Sequence, residues 1–474
     1  MKTRVRPSVA LLCLSVLLAG CAAVGPDYHP PQNELPPSWS EAPSAPLPLA
    51  QPDAEWWRRF DDPLLTDLVE RALAANPDLR IARARLRAAR AASAQAESLL
   101  WPSVGVYGSA TRTSDGGQDA ASRYGAGFDA AWEIDLFGGL RRGAEAAEAD
   151  ASASAATLAQ TRVSLAAEVA RDYVQLRAYQ LRIAITQANL DNQTQTLQIA
   201  EWRAQAGLVG QLDVEQARSN REQTRAQLPA LQDAATQTVN ALAVLLNVAP
   251  STLAPELAAG PAPTFPSAAA QPLAGIPADL LRRRPDIVAA ERSLAAATAR
   301  IGVAEAALYP SLSLSGTLGL QGAALSALSG GAAATRLIAA SLAAPIFDAG
   351  RLRQQVAIRS AEQEQALAAY EAALFGALRD VENARASLAN GRARGEALAA
   401  AVQAARNAAL LASFRYRSGL VDFQTVLDTE RSVRTLEDSQ ATAQADSVIA
   451  LVQLYKALGG GWSADASAAA ATPR

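Results

Sequence analysis

Two stretches of this 474-residue chain, 141–205 and 351–416, contain no proline and repeat an apolar residue every seventh place. Val169, Leu176, Ile183, Leu190 and Leu197 mark the first stripe, and Leu367, Leu374, Val381 and Leu388 mark the second. Such stripes belong to helices that lie side by side. At ~1.5 Å per residue each stretch makes a rod of roughly 100 Å, far beyond the helices of compact domains. The composition agrees, since the chain is rich in alanine and only 5% aromatic, which favours long helices in close approach. A coiled-coil or bundle seam would show the same stripe, so the rods alone leave the architecture open.

The rods belong to an internal duplication. Asn76-Pro77-Asp78-Leu79 leads to Leu100-Trp101-Pro102-Ser103, and Arg284-Pro285-Asp286-Ile287 leads to Leu308-Tyr309-Pro310-Ser311, with 25 residues between the prolines of each pair. Further on, Arg203 and Gly207-Leu208-Val209 are matched 212 residues later by Arg415 and Gly419-Leu420-Val421. Two tandem copies follow, 76–248 and 284–459, joined by a linker over 249–283. Shorter helices, about 77–100 with 210–247 and about 279–308 with 421–458, sum in each copy to one rod length. The pattern predicts a barrel of side-by-side helices, each copy supplying one continuous and one composite strut.

Between the helices the period changes from helical to strand. Over 311–321, Leu312, Leu314, Leu318 and Leu320 alternate with Ser311, Ser313, Ser315, Thr317 and Gln321. Over 123–135, Tyr124, Phe128, Trp132 and Ile134 alternate with a face carrying Arg123, Asp129, Glu133 and Asp135. Buried strands do not tolerate such charge. Residues 103–113 and 336–346 supply partners, giving one hairpin per copy, 103–135 and 311–346, with loops at Asp115-Gly116-Gly117 and Gly330-Gly331. The strands are long enough to cross a bilayer at the usual tilt. Four cannot close a barrel, and an open edge in lipid is forbidden by its unpaired backbone groups, so several chains must contribute; a trimer gives twelve strands. A four-stranded soluble sandwich is the competing arrangement.

The start of the chain reads as an export signal over 1–20. Lys2, Arg4 and Arg6 precede an apolar run from Val9 to Leu18, ending in Leu18-Ala19-Gly20-Cys21. About ten apolar residues fall short of the roughly 20 that span a membrane, and the ending on cysteine has the form of a bacterial lipobox. Cleavage before Cys21 and lipidation of its thiol, with S-diacylglycerol and an N-acyl chain, are expected. Ala22, in place of a retaining aspartate, directs the product to the outer membrane.

Several function classes lack raw material. Cys13 leaves with the signal, so no disulfide or thiol metal site is expected. The sole histidine, His29, sits beside Tyr28 and Pro30 near the anchor, which leaves no triad or imidazole metal site to build. Signal removal takes the formal net charge from −3 to −6, with charges scattered, against nucleic-acid binding. No cofactor is expected, and an enzyme is not.

Further motifs carry a family resemblance that runs from Cys21 nearly to the end. They are Trp56-Trp57 with Phe60-Asp61-Asp62-Pro63-Leu64, Ala131-Trp132-Glu133-Ile134-Asp135-Leu136-Phe137-Gly138-Gly139, Asp279-Leu280-Leu281-Arg282-Arg283-Arg284-Pro285-Asp286-Ile287, Ala344-Pro345-Ile346-Phe347-Asp348-Ala349-Gly350 and Tyr455-Lys456-Ala457-Leu458-Gly459-Gly460-Gly461-Trp462. The chain resembles the TolC-like outer-membrane factors, in the lipoprotein branch of NodT-type and OprM-like channels. The resemblance implies an α+β membrane protein of long helices forming an α-barrel, with four transmembrane strands per chain in a trimeric twelve-stranded β-barrel. A belt would come from segments such as 30–75, 250–278 and the tail, 460–474.

The implied function is a passive exit duct for drugs or other small toxic compounds, held in outer-membrane lipid. It would be loaded by a periplasmic adaptor and an inner-membrane pump of the resistance-nodulation-division type. A duct for type I protein secretion and a non-conducting periplasm-spanning lipoprotein are the alternatives. Family channels are shut at the periplasmic tip, and the matching residues here are Tyr416, Gln424, Asp428 and Arg431. Asp428 would form an acidic ring and Arg431 a tie between helices. Where relatives often carry leucine this chain has Gln424, so the resemblance gives no apolar constriction at that level. The turns at Gly207 and Gly419, with Arg203, Leu208, Arg415 and Leu420, would be the docking tips. Plain helix stops and an i, i+3 surface pair would explain the same residues.

Overall fold

The structure, a computed structural model, describes residues 23–31, 55–114, 121–258, 265, 281, 283–329 and 334–460. Cys21 with the signal segment, both hairpin loop centres, most of the linker and belt segments and the tail beyond 460 lie outside the described residues. The chain separates into two compact units, one of residues 1–33, 83–157 and 286–373, the other of residues 34–82, 158–285 and 374–474.

The described helices are α1 (Pro63–Ala75), α2 (Pro77–Ser98), α3 (Gly139–Gln205), α4 (Gln211–Arg225), α5 (Gln227–Leu246), α6 (Pro250–Ala258), α7 (Pro285–Ala306), α8 (Arg351–Arg417) and α9 (Phe423–Ala457); the strands are β1 (Ser103–Thr113), β2 (Ala121–Ile134), β3 (Ser311–Gly322) and β4 (Ala334–Ala343). Both long rods are single helices of 67 residues. The stretch expected as one helix over 210–247 is broken at Ala226. Pro229 explains the break: it has no N–H to give the carbonyl four residues back, and its ring crowds that turn.

In the first unit the strands form one antiparallel sheet in the order β1-β2-β3-β4. Val106, Phe128, Leu318 and Arg336 share one cross-strand row, and Tyr107, Gly127, Gly319 and Thr335 share the next. The register therefore puts most of the apolar alternation on a single face, with Ser, Thr, Gly, Arg123, Asp129 and Glu133 on the other beside Tyr107 and Leu337. None of the described residues covers the apolar face: Val106 is 78% exposed and Ile338 90%. Arg112 and Arg336 are charged exceptions on that face, both near the loop ends of their strands, where a long side chain reaches past the apolar layer. The outer edges of β1 and β4 pair with nothing in the described residues.

A strap from Ala23 to Tyr28 lies against the base of this sheet. Val24 N–H donates to the Phe137 carbonyl at 3.0 Å. The buried Arg142 guanidinium donates to the carbonyls of Val24 and Gly25 and to Asp27 at 2.6 Å. Gly138, at φ +80°, has Ala23 where a side chain would stand, so only glycine lets the strap approach this closely. Tyr309 stacks on Phe137 at 4.7 Å beside it.

In the second unit the core gathers Trp56, Trp57, Phe60, Leu65, Leu68, Tyr173, Leu242, Leu246 and Tyr455. Trp56 stacks on Tyr455 at 5.2 Å. Asp62 caps α1 by accepting from the Leu64 and Leu65 N–H groups at 3.0 Å and accepts a third hydrogen bond from the Tyr173 hydroxyl at 2.7 Å. The Trp-Trp and Asp-Pro motif is thus core and cap together. Arg284 is similarly structural, donating to the Ala457 carbonyl at 2.6 Å, where a cation suits the negative end of α9.

Candidate functional site at the helix tips

The tips lie wholly in the second unit. Each long helix stops because a glycine adopts the left-handed conformation, Gly207 at φ +74° and Gly419 at φ +73°. Gly207 N–H donates to the Ala204 carbonyl and Leu208 N–H to Arg203; Gly419 N–H donates to Tyr416 and Leu420 N–H to Arg415. These are two copies of one Schellman stop, which satisfies carbonyls that the ended helix would leave bare. The next helix then begins at once, α9 with Asp422 as its N-cap and α4 with Gly210, which offers no side-chain bond. Thr425 donates its N–H to Asp422, and this with the Thr425 hydroxyl holds the Asp422 carboxyl below its ordinary range.

Behind the turns Leu197, Ala200, Val214, Ala217, Ala412, Tyr416, Phe423, Val426 and Leu427 form a small core. Tyr416 is 7% exposed and tilts against Phe423 at 5.2 Å. Named among the gate residues by the family resemblance, it lies in the tip interior. Arg203, expected among the docking contacts, lies over the Tyr416 ring at 4.4 Å and donates to the Tyr416 carbonyl at 3.2 Å. Burial raises the Tyr416 phenol above its ordinary value while the Arg203 cation opposes the rise. Arg203 therefore fastens the end of α3 to the end of α8.

Gln424, Asp428 and Arg431 stand on one exposed face of α9. Gln424 Nε2 donates to Asp428 Oδ1 at 2.9 Å, and Arg431 donates to the same oxygen at 3.3 Å. Within one chain this is a ladder along a single helix, so Arg431 does not tie two helices here; about half of each side chain in the Asp428–Arg431 pair is exposed. Arg415 is exposed, and Leu208 and Leu420 project at 66% and 72% exposure, an unusual outlay of apolar surface at a turn. The sequence signal missed was Tyr416 as an anchor for Arg203, which the alanine at 204 could have disclosed: only the second copy offers a ring.

The model of the family described as outer membrane efflux protein matches residues 68–248 and 276–460. The chain belongs to that family. The outer-membrane channel OprN is 39% identical in its solved structure, with a TM-score of 0.86 over 93% of this chain and 99% of that one. Among curated relatives, the pyoverdine export outer membrane protein OpmQ of Pseudomonas putida is 36% identical over 96% of this chain and 98% of its own. Nodulation protein T of Rhizobium leguminosarum bv. trifolii is 31% identical over 96% and 97%. The fold is accordingly that of a TolC-like channel, mostly long helices with membrane strands, and the chain is an efflux channel of the outer membrane extending into the periplasm.

Proposed function

We propose that three copies of this chain close one twelve-stranded barrel and one helical tunnel, the exit duct for small amphipathic toxic compounds. The observation that carries the reading is the four-stranded sheet: among the described residues two unpaired edges border an uncovered apolar face. Lipid accepts that face, and only closure with further copies satisfies the edges. Relatives named for pyoverdine export and for toluene efflux support the reading. A periplasmic adaptor and an inner-membrane pump of the resistance-nodulation-division type supply the energy, and the exposed Leu208, Leu420 and Arg415, with Gly207 and Gly419 setting the turns, are the surface they meet. Arg203 acts from beneath by holding the tip together. Lipid on Cys21 adds a second anchor.

The gate is the α9 face of Gln424, Asp428 and Arg431, backed by Tyr416. Three copies bring three Asp428 carboxylates to one narrow mouth, where like charge selects cations and loads the closed state. Purified channel in planar bilayers tests both parts. Mass measurement should give three chains, and Arg431→Ala or Asp428→Asn should raise unitary conductance or opening. A monomeric, non-conducting species would sink the duct. Intact trimers with unchanged conductance in both variants would sink the gate.

A further inference from the structure

One layer inward from the apolar tip core, the facing sides of α3, α4 and α9 turn polar. Gln193 on α3 is 3% exposed, Asn220 on α4 2%, and Thr224 wholly buried. Thr196 Oγ donates to Glu430 Oε1 at 2.7 Å, and Arg434 donates to Thr224 Oγ at 3.0 Å. Helices α4 and α9 each start at a tip turn and meet at that Thr224–Arg434 contact. Asn220 and Glu430, each one turn nearer the tip, therefore stand at one level. The hydrogen bonding of this layer is incomplete. Among the described residues Glu430 Oε2, both polar atoms of the Asn220 side chain and Gln193 Oε1 are sealed from solvent with no partner. Native interiors rarely leave such groups unmatched, because each has given up water for nothing.

We propose that Asn220 and Glu430 are positioning residues of the gate, setting how readily α9 moves against α4. The present packing leaves an amide donor and a carboxylate acceptor at one level unjoined, and a small slide of α9 would bring them together. The layer is thus poised between two arrangements, as a gating element must be. This rests on the reading of the α9 tip as the gate.

Among the described residues no cation is paired with Glu430: Arg434, one turn along the same helix, donates to Thr224 instead. Arg431 is engaged by Asp428, Arg218 by Glu215 and Glu201, Arg221 and Arg225 by Glu222, and Arg406 by Glu437. Burial accordingly holds the Glu430 carboxyl above its ordinary value, with the Thr196 hydroxyl pulling the other way. A carboxyl raised by the present packing favours that packing while protonated, and the advantage is lost as pH rises through the raised value. The layer loosens from acid toward neutral pH.

The test is opening frequency of the full channel in planar bilayers across that range. Wild-type opening should increase with pH. Glu430→Gln should flatten the profile at its acid level, with openings at neutral pH as rare as those of the wild type in acid. Glu430→Asp should keep the slope, and Asn220→Leu should lower opening throughout while keeping it. An unaltered slope in Glu430→Gln overturns the proposal. Should that variant yield no heat-resistant oligomer, wild-type opening from Asn220→Leu overturns it equally. Arg431→Ala and Asp428→Asn separate the two readings: no effect in either removes the gate itself, whereas an effect there with a persistent slope in Glu430→Gln removes only the layer.

Discussion

The tip at Gly207 and the tip at Gly419 share a backbone and differ in most of what is mounted on it. Both end a 67-residue helix by the same pair of backbone hydrogen bonds. After the first, Gly210 begins a 15-residue helix that breaks before Pro229. After the second, Asp422 begins a helix of 35 residues without interruption. Where the second copy has Gln424, Asp428 and Arg431 in a ladder, the first has Leu212, Gln216 and Ser219. The aromatic anchor also sits in the second copy only, since residue 204 is alanine where 416 is tyrosine. Duplication has preserved the turn, which backbone physics requires, and released the side chains. The first copy lends its arginine to the second, so the two tips work as a support and a moving part.

That division can be broken by experiment. Tyr416→Ala should have the largest effect, a loss of about 3 kcal/mol of stability for a buried aromatic, seen as faster amide exchange at both tips because Arg203 loses its seat. Arg415→Ala, the mirror of removing Arg203, should cost less than about 0.5 kcal/mol; equal losses would erase the asymmetry. Next, Pro229→Ala should join α4 to α5 and stabilise that pair by about 1 kcal/mol, with new amide protection around Ala226. The smallest effect belongs to Gly210→Asp. Its φ of −84° suits any residue and the space beside it is open, so a cap like Asp422 should add about a few tenths of a kcal/mol. Destabilisation there would show that the first tip needs its glycine.

The hairpins were legible because alternation has only one structural meaning at that length, and the strands begin and end within three residues of the expected positions. The turns were legible from the duplication. The interior of the rods was not. A seven-residue stripe predicts Ile183 and Leu190 at the buried seam, yet both are only partly covered while Thr186, Asn189 and Gln193 are buried. A straight helix repeats every 3.6 residues, so its inward face drifts off a heptad stripe by about 20° per repeat. Polar residues on a helix are read as solvated by default, which hid the layer around Asn220. The Arg203–Tyr416 contact joins residues 213 apart, a separation that no local pattern reports.

The strap beneath the sheet sets a length scale for the anchor. Ala23 is pinned against Gly138, and Cys21 precedes it by two residues, a reach of at most about 7 Å. Were Cys21 to carry acyl chains, covalent geometry would hold them within that reach of the foot of the strands. Arg142, through the Val24 and Gly25 carbonyls and Asp27, fixes the point from which that reach is measured.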